Sequence, residues 1–264
     1  MARPIALITG ASSGLGATFA RQLAVEGYDL ILVARREAAL QQLAKELHGN
    51  QGICATVVTA DLTREEDVSR VCGLLAGNDR LELLVNNAGF GSRGFFFEAD
   101  AEQQDAMHRL HVVAVERLTR AVLPGLVARA RGGIINVASV AGFISGPGNI
   151  SYCATKAWMV VFTEGLYLEL KSMGSPVKVQ ALCPGYTYTG FHDAMGVDRS
   201  SIMGKGWWMS ADRVVAESLS GFGSGKLLVI PGLRYKIVVA VARFLPRSLL
   251  IRGAARFRNQ YAKR

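Results

Sequence analysis

Short apolar, β-branched runs alternate along this chain with longer segments of helical period, an order that few folds accept. Such runs suit strands buried on both faces of a parallel sheet, and parallel neighbours need crossovers long enough to hold a helix. The runs lie at 5–9, 30–34, 54–59, 83–86, 133–138, 177–182 and 227–230. Helical stretches fall between them, near 14–25, 37–48, 64–76, 102–130, 152–173 and 211–220. The pattern predicts an α/β, doubly wound domain whose parallel sheet has about seven strands, with helices on both faces. No repeat or linker interrupts residues 1–231, which read as one domain; residues 232–264 read as a basic, apolar, helical C-terminal appendage. The stretch 185–209 is too long and irregular for an ordinary connection and reads as a substrate lid.

The segment Thr9-Gly10-Ala11-Ser12-Ser13-Gly14-Leu15-Gly16 leaves the first strand and opens the first helix. Glycines there let the backbone approach a pyrophosphate, while the helix N-terminus offers N–H donors and the positive end of its dipole. A turn that merely packs helix on strand is the alternative, and the place at the head of the alternating pattern weighs against it. Further on, where an acid would bind the adenine ribose of NAD, stand Arg35 and Arg36. Two guanidinium groups suit a 2′-phosphate, so NADP(H) is favoured over NAD(H). Solvated arginines at a helix start are the other reading, to which the adjacent Glu37 lends some weight.

Tyr152 and Lys156 stand one helical turn apart, with Ser139 thirteen residues before the tyrosine. A second Tyr-x-x-x-Lys, Tyr167 with Lys171, has Ala154 in place of the serine and lies roughly 22 Å further along the same helix, so it cannot join the first. Hydride delivery to a ketone carbon leaves an alkoxide that needs a proton, and a phenol suits the task if its pKa falls from about 10 towards neutrality. Lys156 faces the same way, and its charge favours the phenolate. Ser139, ending the fifth strand, is positioned to hydrogen-bond the carbonyl oxygen. The plain alternative is a buried tyrosine, an exposed lysine and a strand-end serine.

Thr9-Gly10-x-x-x-Gly14-x-Gly16, Asp61-Leu62, Asn86-Asn87-Ala88-Gly89, Ser139, Tyr152-x-x-x-Lys156 and Pro184-Gly185 together resemble the short-chain dehydrogenase/reductase (SDR) family in order and spacing. The resemblance covers residues 4–231 and implies a single Rossmann-type domain in which Tyr152 acts as acid or base. It implies that Lys156 lowers the tyrosine pKa and binds the nicotinamide ribose, and that Ser139 orients the substrate. It also implies Asp61 and the Leu62 backbone at the adenine, with Asn87, Ala88 and Gly89 beside the cofactor. Pro184, Gly185, Thr187 and Thr189 would border the nicotinamide and pyrophosphate, and Ser12, Ser13 and Leu15 complete the glycine turn. Local alternatives remain: Asp61 can cap the helix that starts near Thr63, and Asn86-Asn87 can shape a turn. His111 stands where many members have an asparagine on a water path from the catalytic lysine to solvent. Histidine can shuttle protons near neutral pH, so it is assigned to that relay, with a helix-packing histidine as the alternative.

Phe90, Phe95, Phe96 and Phe97 follow the Asn-Asn-Ala-Gly motif, and Phe191, Met195, Ile202, Met203, Trp207, Trp208 and Met209 populate the lid. An aromatic and Met-rich mouth suits a bulky apolar carbonyl or alcohol, lipid-, steroid- or acyl-like. A dinucleotide-binding scaffold or redox-responsive regulator with little turnover is the rival reading, and the intact Ser139, Tyr152 and Lys156 weigh against it. Net charge is +9, yet residues 232–264 hold nine Lys and Arg and no acid, leaving the remainder balanced at 21 of each sign. The appendage therefore suits packing on a partner subunit or on its own domain, or an anionic membrane surface; nucleic acid is the least favoured partner. Its uncharged runs are too short to span a bilayer. The resemblance implies a homodimer or homotetramer built on the helices near 102–130 and 152–173. Four scattered cysteines lack metal-ligand spacing, so no metal is expected. With no room for a secretion signal before residue 5, the expectation is a cytoplasmic protein, peripheral at a membrane surface at most.

Overall fold

The computed structural model describes residues 2–92, 94–144, 146–190 and 204–256. In its first strand, β1 (Ile5–Thr9), successive side chains point to opposite sides and both sides are apolar. Ala6 and Ile8 enter one core and Leu7 the other. The second strand, β2 (Asp29–Ala34), divides in the same way, with Leu30 and Leu32 in the first core and Ile31 and Val33 in the second. This double burial is why the strands read as unbroken apolar runs.

The following strands are β3 (Ala55–Thr59), β4 (Leu81–Asn86), β5 (Gly133–Val137), β6 (Lys178–Leu182), β7 (Thr187–Tyr188), β8 (Met209–Ser210) and β9 (Leu228–Val229). Seven of them form one parallel sheet in the order β3-β2-β1-β4-β5-β6-β9, as expected, while β7 and β8 pair separately. Helices α1 (Gly14–Val25) and α2 (Glu37–Gln51) cover the first core through Phe19, Leu23, Leu40 and Leu47. Helix α3 (Glu65–Leu75) lies over the second. After α4 (Ala101–His108) come α5 (Ala114–Arg129) and α6 (Ile150–Ser172), which add Leu118 and Leu170 to the second core; α7 (Ala211–Gly223) returns to the first through Val214 and Val215.

From β1 the chain winds outward to β3 and then returns to place β4 on the other side of β1. Connections therefore leave in opposite directions from these two strands, and a crevice opens at their C-terminal ends. Between β4 and β5, the buried Asn86 amide donates to Asn136 Oδ1 at 2.9 Å, and Asn136 donates to Thr163 Oγ1 of α6 at 2.9 Å. That polar ladder fixes the register of the two strands and holds α6, which carries the tyrosine and lysine, against the sheet.

One expectation needs correction. Residues 102–130 are not a single α-helix: a π-helical turn, Arg109–Val113, separates α4 from α5. One wide turn hardly disturbs the apolar period, so the sequence hides it, but it carries His111 fully inward. Beyond Gly232 the chain forms α8 (Leu233–Phe244) and α9 (Arg247–Arg256). Tyr235 and Val239 of α8 are buried, and Tyr235 belongs to the first core. Among the described residues, no helix is long and apolar enough to cross a membrane.

Candidate active site

The glycine turn is held open by its neighbours in the crevice. Thr9, 2 % exposed, accepts at its hydroxyl from the backbone N–H groups of Asn87 and Ala88, both at 2.9 Å, and so ties the end of β1 to the loop after β4. The Asn87 amide donates to the Thr9 carbonyl at 2.8 Å. A Cβ on Gly16 would lie 2.3 Å from the Gly10 carbonyl oxygen and 2.6 Å from Asn87 Nδ2, so only glycine fits where α1 crosses the turn. Gly10 and Gly14 adopt φ +67° and +55°, a region other residues rarely enter. Ser13 stands at the α1 N-cap without capping through its side chain, so the first N–H groups of α1 and the positive end of its dipole are available to an anion. Thr189 closes on this end: a Cβ on Gly14 would meet the Thr189 Cβ at 3.1 Å. The Arg36 guanidinium folds back to donate to Ser12 Oγ at 3.1 Å, while Arg35 is exposed. These residues fit the pyrophosphate and the ribose end of a dinucleotide.

The catalytic candidates meet at the other end of the crevice. Ser139 accepts from the Ala141 N–H at 3.1 Å and reaches the Pro184 carbonyl at 3.5 Å, which fixes it between the ends of β5 and β6. Its hydroxyl also hydrogen-bonds the Tyr152 phenol. One turn along α6, Lys156 is only 4 % exposed and donates to the Val137 carbonyl at 2.7 Å. Its ammonium stands 5.8 Å from the Tyr152 ring centroid. The second pair, Tyr167 and Lys171, is bonded at 3.4 Å on the exposed part of α6, remote from any such pocket.

The expected fall of the Tyr152 pKa is not met. Burial of the hydroxyl pushes it up to about 12, against the opposing effect of the Ser139 hydrogen bond. Burial also draws Lys156 down to about 8. The reason is geometric: the ammonium is directed at the Val137 carbonyl rather than at the phenol oxygen, so desolvation outweighs its charge.

His111 joins the group from the π turn. Its Nε2 accepts from the Phe90 N–H at 3.2 Å, so the proton of the neutral ring sits on Nδ1 and is donated to Thr155 Oγ1 at 3.0 Å. Thr155 donates in turn to the Tyr152 carbonyl at 3.0 Å. Burial first, then the charges of Lys156 and His108, hold the His111 pKa well below 6.5. Thr155 was invisible to sequence reasoning, because a threonine inside a helix carries no signal of its own.

A family model described as short chain dehydrogenase matches residues 4–199. The chain belongs to the short-chain dehydrogenase family. One curated relative, a very-long-chain 3-oxoacyl-CoA reductase of Anas platyrhynchos, is 35% identical over 190 residues, 70% of this chain and 60% of that protein. A short-chain dehydrogenase from Sphingobium yanoikuyae, solved in complex with NADPH, superposes with TM-score 0.83 at 37% identity and covers 91% of this chain and 94% of its own. The bulky-bulky ketone specific alcohol dehydrogenase from Comamonas testosteroni superposes with TM-score 0.78 at 32% identity, over 99% and 95%. This short-chain dehydrogenase is thus an oxidoreductase acting between carbonyl and CH–OH groups with a nicotinamide cofactor.

Other residues expected at the short-chain dehydrogenase site have local occupations. Asp61 Oδ1 accepts from the Thr63 N–H at 3.1 Å and hydroxyl at 2.8 Å, closing a turn ahead of α3 rather than capping it, since α3 begins at Glu65 with Arg64 at its N-cap. The Leu62 side chain is buried in the second core, and Leu15 packs against the first. Thr187 donates to the Gly185 carbonyl at 3.0 Å. A Cβ on Gly185 would fall 2.0 Å from the Tyr235 ring. Gly89 lies against His111, where a Cβ would fall 2.8 Å from Nε2.

Both ends of the lid are joined. Thr187 pairs with Met209 and Tyr188 with Ser210, and Trp208 stands 5.3 Å from the rings of Tyr186 and Tyr188. Trp208 and Met209 are therefore buried at the base of the lid. Phe191, Met195, Ile202 and Met203 lie outside the described residues. On the loop after β4, Phe95 stacks on Phe97 at 5.7 Å, and Phe97 is 81 % exposed.

Proposed function

We propose that the protein is an NADP(H)-dependent carbonyl reductase for bulky apolar substrates, lipid-, steroid- or acyl-like, with Tyr152 as the proton donor. The observation that carries it is the hydrogen bond between Ser139 and a phenol that stays protonated at neutral pH. A reduced nicotinamide, when bound, supplies the hydride. Ser139 and Tyr152 hold the carbonyl oxygen between two hydroxyls, and Tyr152 passes its proton to the oxygen as negative charge develops there. Lys156 keeps a cation beneath the phenol and offers its remaining N–H groups to a ribose. The exposed aromatics of the loop after β4, Phe96 and Phe97, support a large apolar substrate. Steady-state assays with NADPH and a series of ketones of rising bulk test the substrate class, and a preference for small polar ketones would overturn it.

Solved members of the family hold NADPH or NAD, so the preference rests on Arg35 and Arg36. Charge-assisted hydrogen bonds contribute about 1.5–3 kcal/mol each. Arg36→Ala is therefore expected to lower kcat/KM for NADPH by roughly 10- to 150-fold, and adding Arg35→Ala to lower it further, while NADH is left almost unchanged. Equal loss with both cofactors would remove the NADP(H) reading.

We further propose that His111 serves the proton supply of Tyr152 and Lys156 by holding Thr155 and the Phe90 backbone on either side of the π turn. Both ring nitrogens are engaged, so this role runs through a fixed, neutral imidazole. His111→Asn and His111→Ala are expected to displace the pH–rate profile of a variant that still binds cofactor. An unchanged profile in both would reduce His111 to a packing residue. We also read the protein as a cytoplasmic homo-oligomer, a proposal that light scattering of the purified chain would check.

A further inference from the structure

Helix α8 is apolar on two opposite faces, and among the described residues only one of them is covered. At about 100° per residue, Leu233, Ile237, Val241 and Phe244 fall within an arc of about 80°, and the buried Tyr235 and Val239 lie diametrically opposite. The outer four are 71 %, 55 %, 49 % and 89 % exposed. On the wheel, Arg234 borders this stripe on one side, and Lys236 and Arg243 border it on the other. Arg243 is tethered to Glu164 of α6 at 3.0 Å, and Arg234 donates to the Gly206 carbonyl at 2.7 Å. Lys236, and Arg247 and Arg252 of the next helix, form no ion pair among the described residues. Leu249 and Ile251 of α9 are exposed as well, and no acid occurs anywhere in residues 232–264.

We propose that this face of α8 docks on an anionic lipid bilayer, with the apolar stripe entering the headgroup boundary and the neighbouring cations, Arg247 at the start of α9 among them, resting on lipid phosphates. Charge selects this occupant over a second copy of the chain. A two-fold interface centred on α8 would bring its cationic border against the same border of its partner, with no acid on either helix to offset it. A bilayer with negative headgroups offers an apolar phase and opposite charge together. The inner face of α8 gives the docking a consequence for the fold. The Tyr235 hydroxyl donates to the Trp207 carbonyl at 2.6 Å and accepts from the Tyr186 N–H at 2.9 Å, on either side of the lid. A docked α8 would thus bring Tyr186 and Trp207, at the two ends of residues 185–209, towards the membrane, where apolar compounds dissolve. The docking itself does not depend on the substrate proposed above.

Flotation of the full chain with vesicles of phosphatidylcholine and phosphatidylglycerol, beside vesicles of phosphatidylcholine alone, tests it. Binding is expected to the anionic vesicles and to weaken with salt. Ile237→Ser with Phe244→Ser, both on the exposed stripe, should lower the partition at least about tenfold. Lys236→Glu with Arg247→Glu should abolish the anionic preference. Equal flotation with both vesicle types, or unchanged flotation in the serine variant, would overturn the proposal. A loss of oligomeric mass in the serine variant, without vesicle binding by the parent chain, would assign the stripe to a second copy instead.

Discussion

Replacing Tyr152 with phenylalanine is expected to lower kcat for carbonyl reduction by about 10²- to 10⁴-fold while leaving cofactor affinity close to that of the parent. The substitution deletes one oxygen and retains the ring, which stands 5.9 Å from His111 in an edge-on arrangement. The contacts that hold Lys156, Ser139 and the glycine turn do not involve the phenol oxygen, apart from its bond to Ser139. What is lost is the proton that must reach the substrate oxygen as hydride arrives. Because burial holds the phenol at about 12, it carries that proton across the whole working pH range, and the parent activity should not titrate with a tyrosine near neutrality. Single-turnover absorbance of NADPH at saturating ketone would measure the loss directly. A variant within a factor of a few of the parent would assign the proton to another group.

Most of the scaffold was legible because burial dictates it. Helix α1 occupies the expected span, and β1 runs from Ile5 to Thr9, since an unbroken apolar run and a glycine-rich turn leave the chain little choice there. What escaped depends on contacts far apart in sequence. The π turn differs from an α-helix over five residues, too few to leave a period, yet it determines where His111 points. Tyr235 looked like part of a peripheral appendage, and nothing local tells that its ring packs on Gly185. The Asn86–Asn136–Thr163 ladder was more accessible: an asparagine inside the apolar run 133–138 announces a buried polar group that must find a partner. Ser139, Tyr152 and Lys156 were readable from type and spacing, whereas the direction of the Tyr152 shift was not. Spacing fixes which groups meet, and burial decides which protonation state survives.

Lys156 offers the sharpest separation of catalysis from stability. In the folded chain its pKa is drawn from 10.5 to about 8 by burial, with the Val137 carbonyl as its close hydrogen-bond partner among the described residues. The folded state therefore binds fewer protons than the unfolded state between pH 8 and 10.5, and stability should rise with pH across that window. Below the folded value both states hold the proton, and the full cost of burying the charge is present. Lys156→Met keeps the volume and the unbranched shape while removing that cost, so its Tm at pH 7 should equal or exceed that of the parent, and the rise above pH 8 should vanish. Catalysis should move the other way. The parent rate is expected to decline as pH passes about 8 and the ammonium under the phenol is neutralised, and the methionine variant should be slow at every pH with no such decline. If Lys156 served only to pack α6 against β5, the variant would retain its rate. If it served the chemistry through its charge, a protein at least as stable as the parent would turn over orders of magnitude more slowly.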